Sequence, residues 1–129
     1  MITVGIYNFG DYPIDPKKIQ QAVTKTLVDG GVSYRCETSV AIISKGKMQE
    51  YVDCYYGHDG VDHPVLSFPH AEVKGQFVLP PDGINHLGEI VVSYPWAKKE
   101  ATKTGKDTSE IVCELCRHGA LHLLGIHHD

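Results

Sequence analysis

Hydrophobic and polar positions change their period several times along this chain, and each change predicts an element. Residues 2–8 alternate and begin Ile2-Thr3-Val4, the pattern of a first strand. Asp15-Pro16 then pairs an N-cap carboxylate with a proline suited to the first helical position. Ile19, Ala22, Val23, Leu27 and Val28 follow at helical spacing until Gly30-Gly31 stops the run. Residues 33–44 are rich in β-formers, with Val40-Ala41-Ile42-Ile43 as the most apolar part. Met48, Tyr51, Val52 and Tyr55 fall on one face of a short helix over 47–56. A Gly/Asp/His/Pro loop over 57–64 leads to Val65-Leu66-Ser67-Phe68-Pro69, a short strand ended by proline. Residues 70–86 have little periodicity and carry Pro80-Pro81 and Gly83, which predicts an extended loop or a short hairpin around Gly75. Residues 87–93 form the clearest central strand, 96–104 a helix, Gly105-Lys106 a break, and Asp107 or Thr108 the cap of a last helix over about 108–124. The order β-α-β-α-β-β-α-α predicts one α/β domain of the α+β type spanning 1–129, a small mixed sheet of about four strands with packed helices.

Composition narrows the class without naming a function. A chain of 129 residues with 42% hydrophobic and 22% charged positions suits one soluble core. No apolar run approaches the ~20 residues of a membrane span, and the first residues lack the charged start of a signal peptide, so a cytoplasmic location with no membrane is expected. In that compartment Cys36, Cys54, Cys113 and Cys116 should be reduced. Cys113-x-x-Cys116 has a metal or redox spacing, but it lies inside an apolar helical pattern and points away from the histidines that follow, so both cysteines read as small core residues. A net charge of −4 does not advertise nucleic-acid binding, which would need a local basic patch. Lys17, Lys18 and Lys25 form one candidate patch, and Lys98, Lys99, Lys103 and Lys106 another; the latter also suits a solvated helix face.

The chemistry concentrates in the last twelve residues, His118-Gly119-Ala120-Leu121-His122-Leu123-Leu124-Gly125-Ile126-His127-His128-Asp129. His118 and His122 are four apart, so on a helix they stack on one face at a spacing that lets two imidazoles share a metal ion. Gly125 stands where a helix ends in the left-handed conformation, and the chain can then return His128 to the same ion. Three histidines and an open position are a usual arrangement for catalytic zinc, although nickel, copper or iron also accept such a set. An expression tag would be an unbroken run, whereas these histidines are interleaved with Ala120, Leu121, Leu123 and Leu124. The skeleton H-x-x-x-H-x-x-G-x-x-H is that of metzincin proteases, but their general-base glutamate is here Gly119, which disfavours peptide hydrolysis.

Three segments together resemble one family. The tail His-Gly-x-Leu-His-Leu-x-Gly-x-x-His is similar to the signature of the YbeY family, bacterial rRNA maturation factors also described as single-strand-specific endoribonucleases. Residues 65–69 resemble that family's T-D-V-L-S-F-P, and residues 87–93 its L-G-D-I-V-I-S. The resemblance implies a zinc-dependent hydrolase of RNA phosphodiesters that acts in rRNA maturation and ribosome quality control, with single-stranded RNA and the small ribosomal subunit as partners. It maps the zinc ligands onto His118, His122 and His128. The chain also departs from the family. His127 replaces an Asp, His63-Pro64 replaces Thr-Asp, and the family's Arg, thought to help bind or activate the phosphate, falls on Gly57, while the chain's two arginines are Arg35 and Arg117. Lys45, Lys47 and His58 are the nearby cations or imidazoles that could replace it.

By chemistry, a three-histidine zinc lowers the pKa of a bound water to ~7 and supplies a nucleophile for phosphorus at neutral pH. No catalytic residue beyond the metal-bound water is identified by this chemistry: His127 could shuttle protons or be a solvated terminal imidazole, and Glu114 or Asp129 could orient a ligand imidazole or be an ordinary surface carboxylate. Ser67 and Ser93 sit near strand ends, where each could either bring a hydroxyl to the groove or cap the strand. RNA phosphates would meet Lys98–Lys106, and bases would stack on Tyr55, Tyr56 or Trp96. The acidic charge and the missing Arg favour a second reading, a metal-stabilised ribosome-binding module that does not cleave. The metal geometry alone also suits a third, a metallohydrolase with another substrate.

Overall fold

Short-range pattern becomes a two-faced sheet. The computed structural model describes residues 2–32, 35–55, 57, 63–69 and 85–125. In chain order the elements are β1 (Ile2–Asn8), α1 (Pro16–Asp29), β2 (Cys36–Ile43), α2 (Lys45–Tyr55), β3 (Val65–Pro69), β4 (Asn85–Ser93), α3 (Tyr94–Thr104) and α4 (Thr108–Leu123). The strands are ordered β1-β2-β4-β3. β1 and β2 run parallel, as do β2 and β4, and β3 pairs antiparallel with β4. This is the mixed α+β sheet that the periodicity predicts.

The apolar runs of β2 and β4 are nearly continuous because both faces are covered. Val40, Ile42, Ile90 and Val92 point to one face, where they meet Ile19, Val23 and Leu27 of α1, Ala97 and Ala101 of α3, and Ile111, Val112, Cys116 and Ala120 of α4. Ile43, Val91 and Leu66 point to the other, where Met48 and Val52 of α2 close a smaller core. Burying one such aliphatic side chain contributes about 1.5–3 kcal/mol, so the larger core anchors α4 to the sheet.

Element ends follow local chemistry. The Asp15 carboxylate accepts hydrogen bonds from the Lys17 and Lys18 N–H groups at 3.1 and 3.4 Å, and Gly31 takes φ +97° after α1. α2 begins at Lys45, earlier than its apolar spacing indicates, because the Ser44 hydroxyl accepts from the Lys47 N–H at 3.2 Å. α3 begins at Tyr94 for a similar reason: buried Ser93 is its N-cap, accepting from the Trp96 N–H at 3.4 Å, and Pro95 suits the first turn. Asp107 has N-cap backbone angles ahead of α4 but makes no side-chain capping bond. β4 starts at Asn85, before the apolar run, because the polar residues Asn85 and His86 pair with Cys36 and Glu37. A register shift between Glu37 and Thr38 makes Leu87 the extra residue there. Gly88 absorbs that shift at φ +131°, and its carbonyl accepts from the Thr38 hydroxyl at 2.8 Å. The loop or hairpin expected around Gly75 lies outside the described residues. No helix among the described residues is long and apolar enough to cross a membrane.

Candidate metal centre

The candidate residues His118 and His122 lie on the last two turns of α4, and a glycine sets how those turns sit. Gly119 is buried against the sheet. A Cβ there would stand 2.6 Å from Ile90 Cγ2 and 3.1 Å from Ser67 Oγ. The helix backbone therefore approaches β3 and β4 more closely than a residue with a side chain allows. The Ser67 hydroxyl uses this approach and donates to the Gly119 carbonyl at 3.0 Å. The missing protease glutamate thereby acquires a structural reason: a side chain at position 119 points into Ile90 and Ser67, not toward the histidines.

His118 and His122 lie on the adjoining face, both half-buried. Their ring centroids are 4.4 Å apart with planes at 54°. Rings this close can each turn one nitrogen toward a common ion, and the all-imidazole chemistry suits zinc or a similar transition metal. Beyond His122 the helix closes by the Leu124 N–H to the Ala120 and Leu121 carbonyls at 3.3 and 3.1 Å. The Gly125 N–H bonds the His122 carbonyl at 3.0 Å, and Gly125 takes φ +80°, as the sequence predicts. Leu124 packs so tightly at the end of α1 that a Cβ on Gly30 would meet it at 2.4 Å. The end of α4 is thus tied to α1 as well as to the sheet. His128, the expected third ligand, lies outside the described residues with His127 and Asp129. Among the described residues, no three side chains of metal-ligating type come together.

The other predicted residues fall as follows. Glu114, one turn before His118, is exposed and pairs with Lys106 at 3.1 Å. One member of the predicted basic stretch is therefore engaged, while Lys98, Lys99 and Lys103 are exposed on α3. Ser93 caps α3 from a buried position, and Ser67 bridges β3 to α4. Gly57 is exposed with φ +72°. Lys45 is exposed, and Lys47 pairs with Glu50 at 3.1 Å, whose hydrogen bond and charge raise the ammonium pKa. His58 and Tyr56 lie outside the described residues. Trp96 is half-buried against the larger core, whereas Tyr55 is 63% exposed. Burial pushes the thiols of Cys113 and Cys116 up, most strongly for Cys116. High thiol pKa values oppose thiolate chemistry, and these two cysteines pack the core.

Two contributors escape a reading of the chain alone. The Ser67–Gly119 bond joins residues 52 apart, and Ile90 matters because Gly119 rests on it. The glycine directly after the first histidine was the available signal, since a helix interior disfavours glycine unless close packing requires it.

Comparison with known proteins adds to this geometry. The family model described as endoribonuclease YbeY matches residues 11–129. A relative named endoribonuclease YbeY in Roseiflexus sp. (strain RS-1) is 35% identical over 118 residues, covering 90% of this chain and 72% of that protein. Its namesake in Dehalococcoides mccartyi strain 195 is 33% identical over 119 residues, covering 85% and 67% respectively. Another in Chloroflexus aggregans is 30% identical over 129 residues, covering 98% and 82%. The solution structure of TM1509 from Thermotoga maritima shares the fold with a TM-score of 0.58 at 20% identity, over all of this chain and 75% of that one.

Proposed function

The chain belongs to the YbeY endoribonuclease family, and on that premise we propose that it cleaves single-stranded RNA with one zinc ion held by His118, His122 and His128. We place this activity in rRNA maturation and ribosome quality control, on the small ribosomal subunit. Membership in the family makes the protein a nuclease, a hydrolase whose substrate is RNA. The observation that carries the zinc assignment is the imidazole pair at 4.4 Å, on a turn of α4 clamped to the sheet at Gly119.

When bound, zinc supplies Lewis acidity toward a phosphate oxygen and a water acidified to a pKa of ~7. The chain's own residues do the rest. His118 and His122 are oriented by a helix that three neighbours hold: β3 through Ser67, β4 through Ile90 and α1 through Gly30. Their partial burial strengthens any charge interaction at the site. With Gly119 unable to accept a proton, that task passes to His127. Glu114 and Asp129 are the carboxylates proposed to orient a ligand imidazole, and Glu114 would do so as one half of its pair with Lys106.

One observation favours the second reading. Gly57 stands where the family motif carries an arginine, so no guanidinium is offered there to a phosphate. In that reading the metal stabilises a ribosome-binding module that does not cleave.

Cleavage of a labelled single-stranded RNA by wild type and by His122→Ala, purified in parallel, tests both. Wild type is expected to cleave, to stop on chelation and to resume with zinc. His122→Ala is expected to lose at least the roughly 10–100-fold that follows loss of a ligand's supporting partner. If both proteins are equally silent while wild type holds one metal per chain, the binding-module reading replaces the nuclease.

A further inference from the structure

Phe68 follows Ser67 in β3, and strand alternation sends it to the opposite face of the sheet. There its ring lies 5.0 Å from Tyr55 and 5.9 Å from Tyr51, tilted by 54° and 38°. Tyr51 and Tyr55 stand one turn apart on α2 and are nearly parallel, 16° between planes at 6.5 Å. The Lys47 ammonium stands 5.9 Å from the Tyr51 ring and is shared with Glu50, its ion-pair partner at 3.1 Å, which a phosphate would have to displace. Packing accounts for only part of this cluster. Tyr51 and Phe68 are half-buried against the smaller core, whereas Tyr55 is 63% exposed.

A tyrosine supported by two further rings loses little entropy when it binds a flat partner, because its position is already set. The chemistry that seeks such a surface beside a cation is a nucleobase with its phosphate. β3 links this surface to the metal centre. Ser67 on one face holds the carbonyl of Gly119, next to His118. Phe68, whose Cα lies about 3.8 Å along the chain, supports Tyr55 on the other. A second exposed pair, Tyr7 of β1 and Phe9 just beyond its end, 6.4 Å apart, lies at the opposite edge of the sheet and has no such link.

We propose that Tyr55, supported by Tyr51 and Phe68, is a base-stacking subsite for the RNA strand whose phosphate is cut at the histidine pair. Stacking here needs a base with a free face, so the subsite selects single-stranded over paired RNA. This rests on the endoribonuclease reading above.

The test is the affinity of a short labelled single-stranded RNA, and of a hairpin of the same length closed by a compact tetraloop whose bases are already stacked, for wild type, Tyr55→Ala, Tyr55→Trp and His122→Ala. Tyr55→Ala is expected to weaken single-strand binding by about 5- to 100-fold, the loss of one base stack. Tyr55→Trp should bind as wild type or tighter. The dependence of affinity on salt should not change, because no phosphate contact is lost. Hairpin binding should be unaffected, and His122→Ala should still bind. If Tyr55→Ala binds the single strand as tightly as wild type, or loses the hairpin equally, the subsite is refuted while the nuclease reading stands. A loss that Tyr55→Trp does not repair also refutes it. A wild-type protein that binds neither RNA overturns the nuclease reading itself.

Discussion

Gly119 carries more of this protein's design than its size suggests. It follows His118, the first of the proposed ligands, it lies inside a helix, and a Cβ on it would stand 2.6 Å from Ile90. Gly119→Ala is therefore expected to destabilise the fold by about 1–3 kcal/mol through overpacking, read as a lower urea midpoint. The same substitution in an Ile90→Ala background should cost less, because the obstructing atoms Cγ1 and Cγ2 are gone, and a double-mutant cycle measures the difference. Equal costs in the two backgrounds would remove the close-packing explanation. The position is legible as special in the chain, since glycine is unfavourable in a helix interior. That Ile90 is its partner is not, because no local rule joins residues 90 and 119.

At the scale of elements, the contact that matters is β3 on α4. The Ser67 hydroxyl is the one polar bond described between them, and it ends one residue from His118. Ser67→Ala should cost about 1 kcal/mol of stability, an ordinary hydrogen bond. It should also weaken zinc binding by roughly 10-fold, as loss of a ligand's supporting partner does. Chelator competition gives the zinc affinity. A stability loss with unchanged zinc affinity would make Ser67 a packing residue only. The elements themselves were legible: every strand and helix read from periodicity is present in the predicted order. Their starts moved where a hydroxyl rather than an apolar residue sets the boundary, as Ser44 and Ser93 do for α2 and α3.

For the whole molecule, the proposed site closes a circuit. α4 meets β3 and β4 through Gly119, and its end meets α1 where Leu124 packs on Gly30. A ligand that binds only this assembled state stabilises all of it. Zinc at 100 times its dissociation constant is expected to add about 2.7 kcal/mol, a rise in Tm of roughly 10 °C for a chain of this size. His122→Ala should abolish the rise in a thermal melt with and without zinc. An equal rise in the variant would place the metal elsewhere.

Much of this protein is written in short stretches of chain. Strand alternation, the Asp15 cap, the turn at Gly125 and the i, i+4 pair of His118 and His122 depend on residues within one or two turns of each other, where geometry is set by the backbone. Tertiary structure alone decided the rest. Ser67 reached Gly119 across 52 residues, Leu124 at the end of the last helix found Gly30 at the end of α1, and Phe68 joined Tyr51 and Tyr55. Such contacts require distant segments to be brought together by burial of the common core, and hydrophobic burial is non-directional, so the local pattern of the chain does not say which distant partner a side chain will meet.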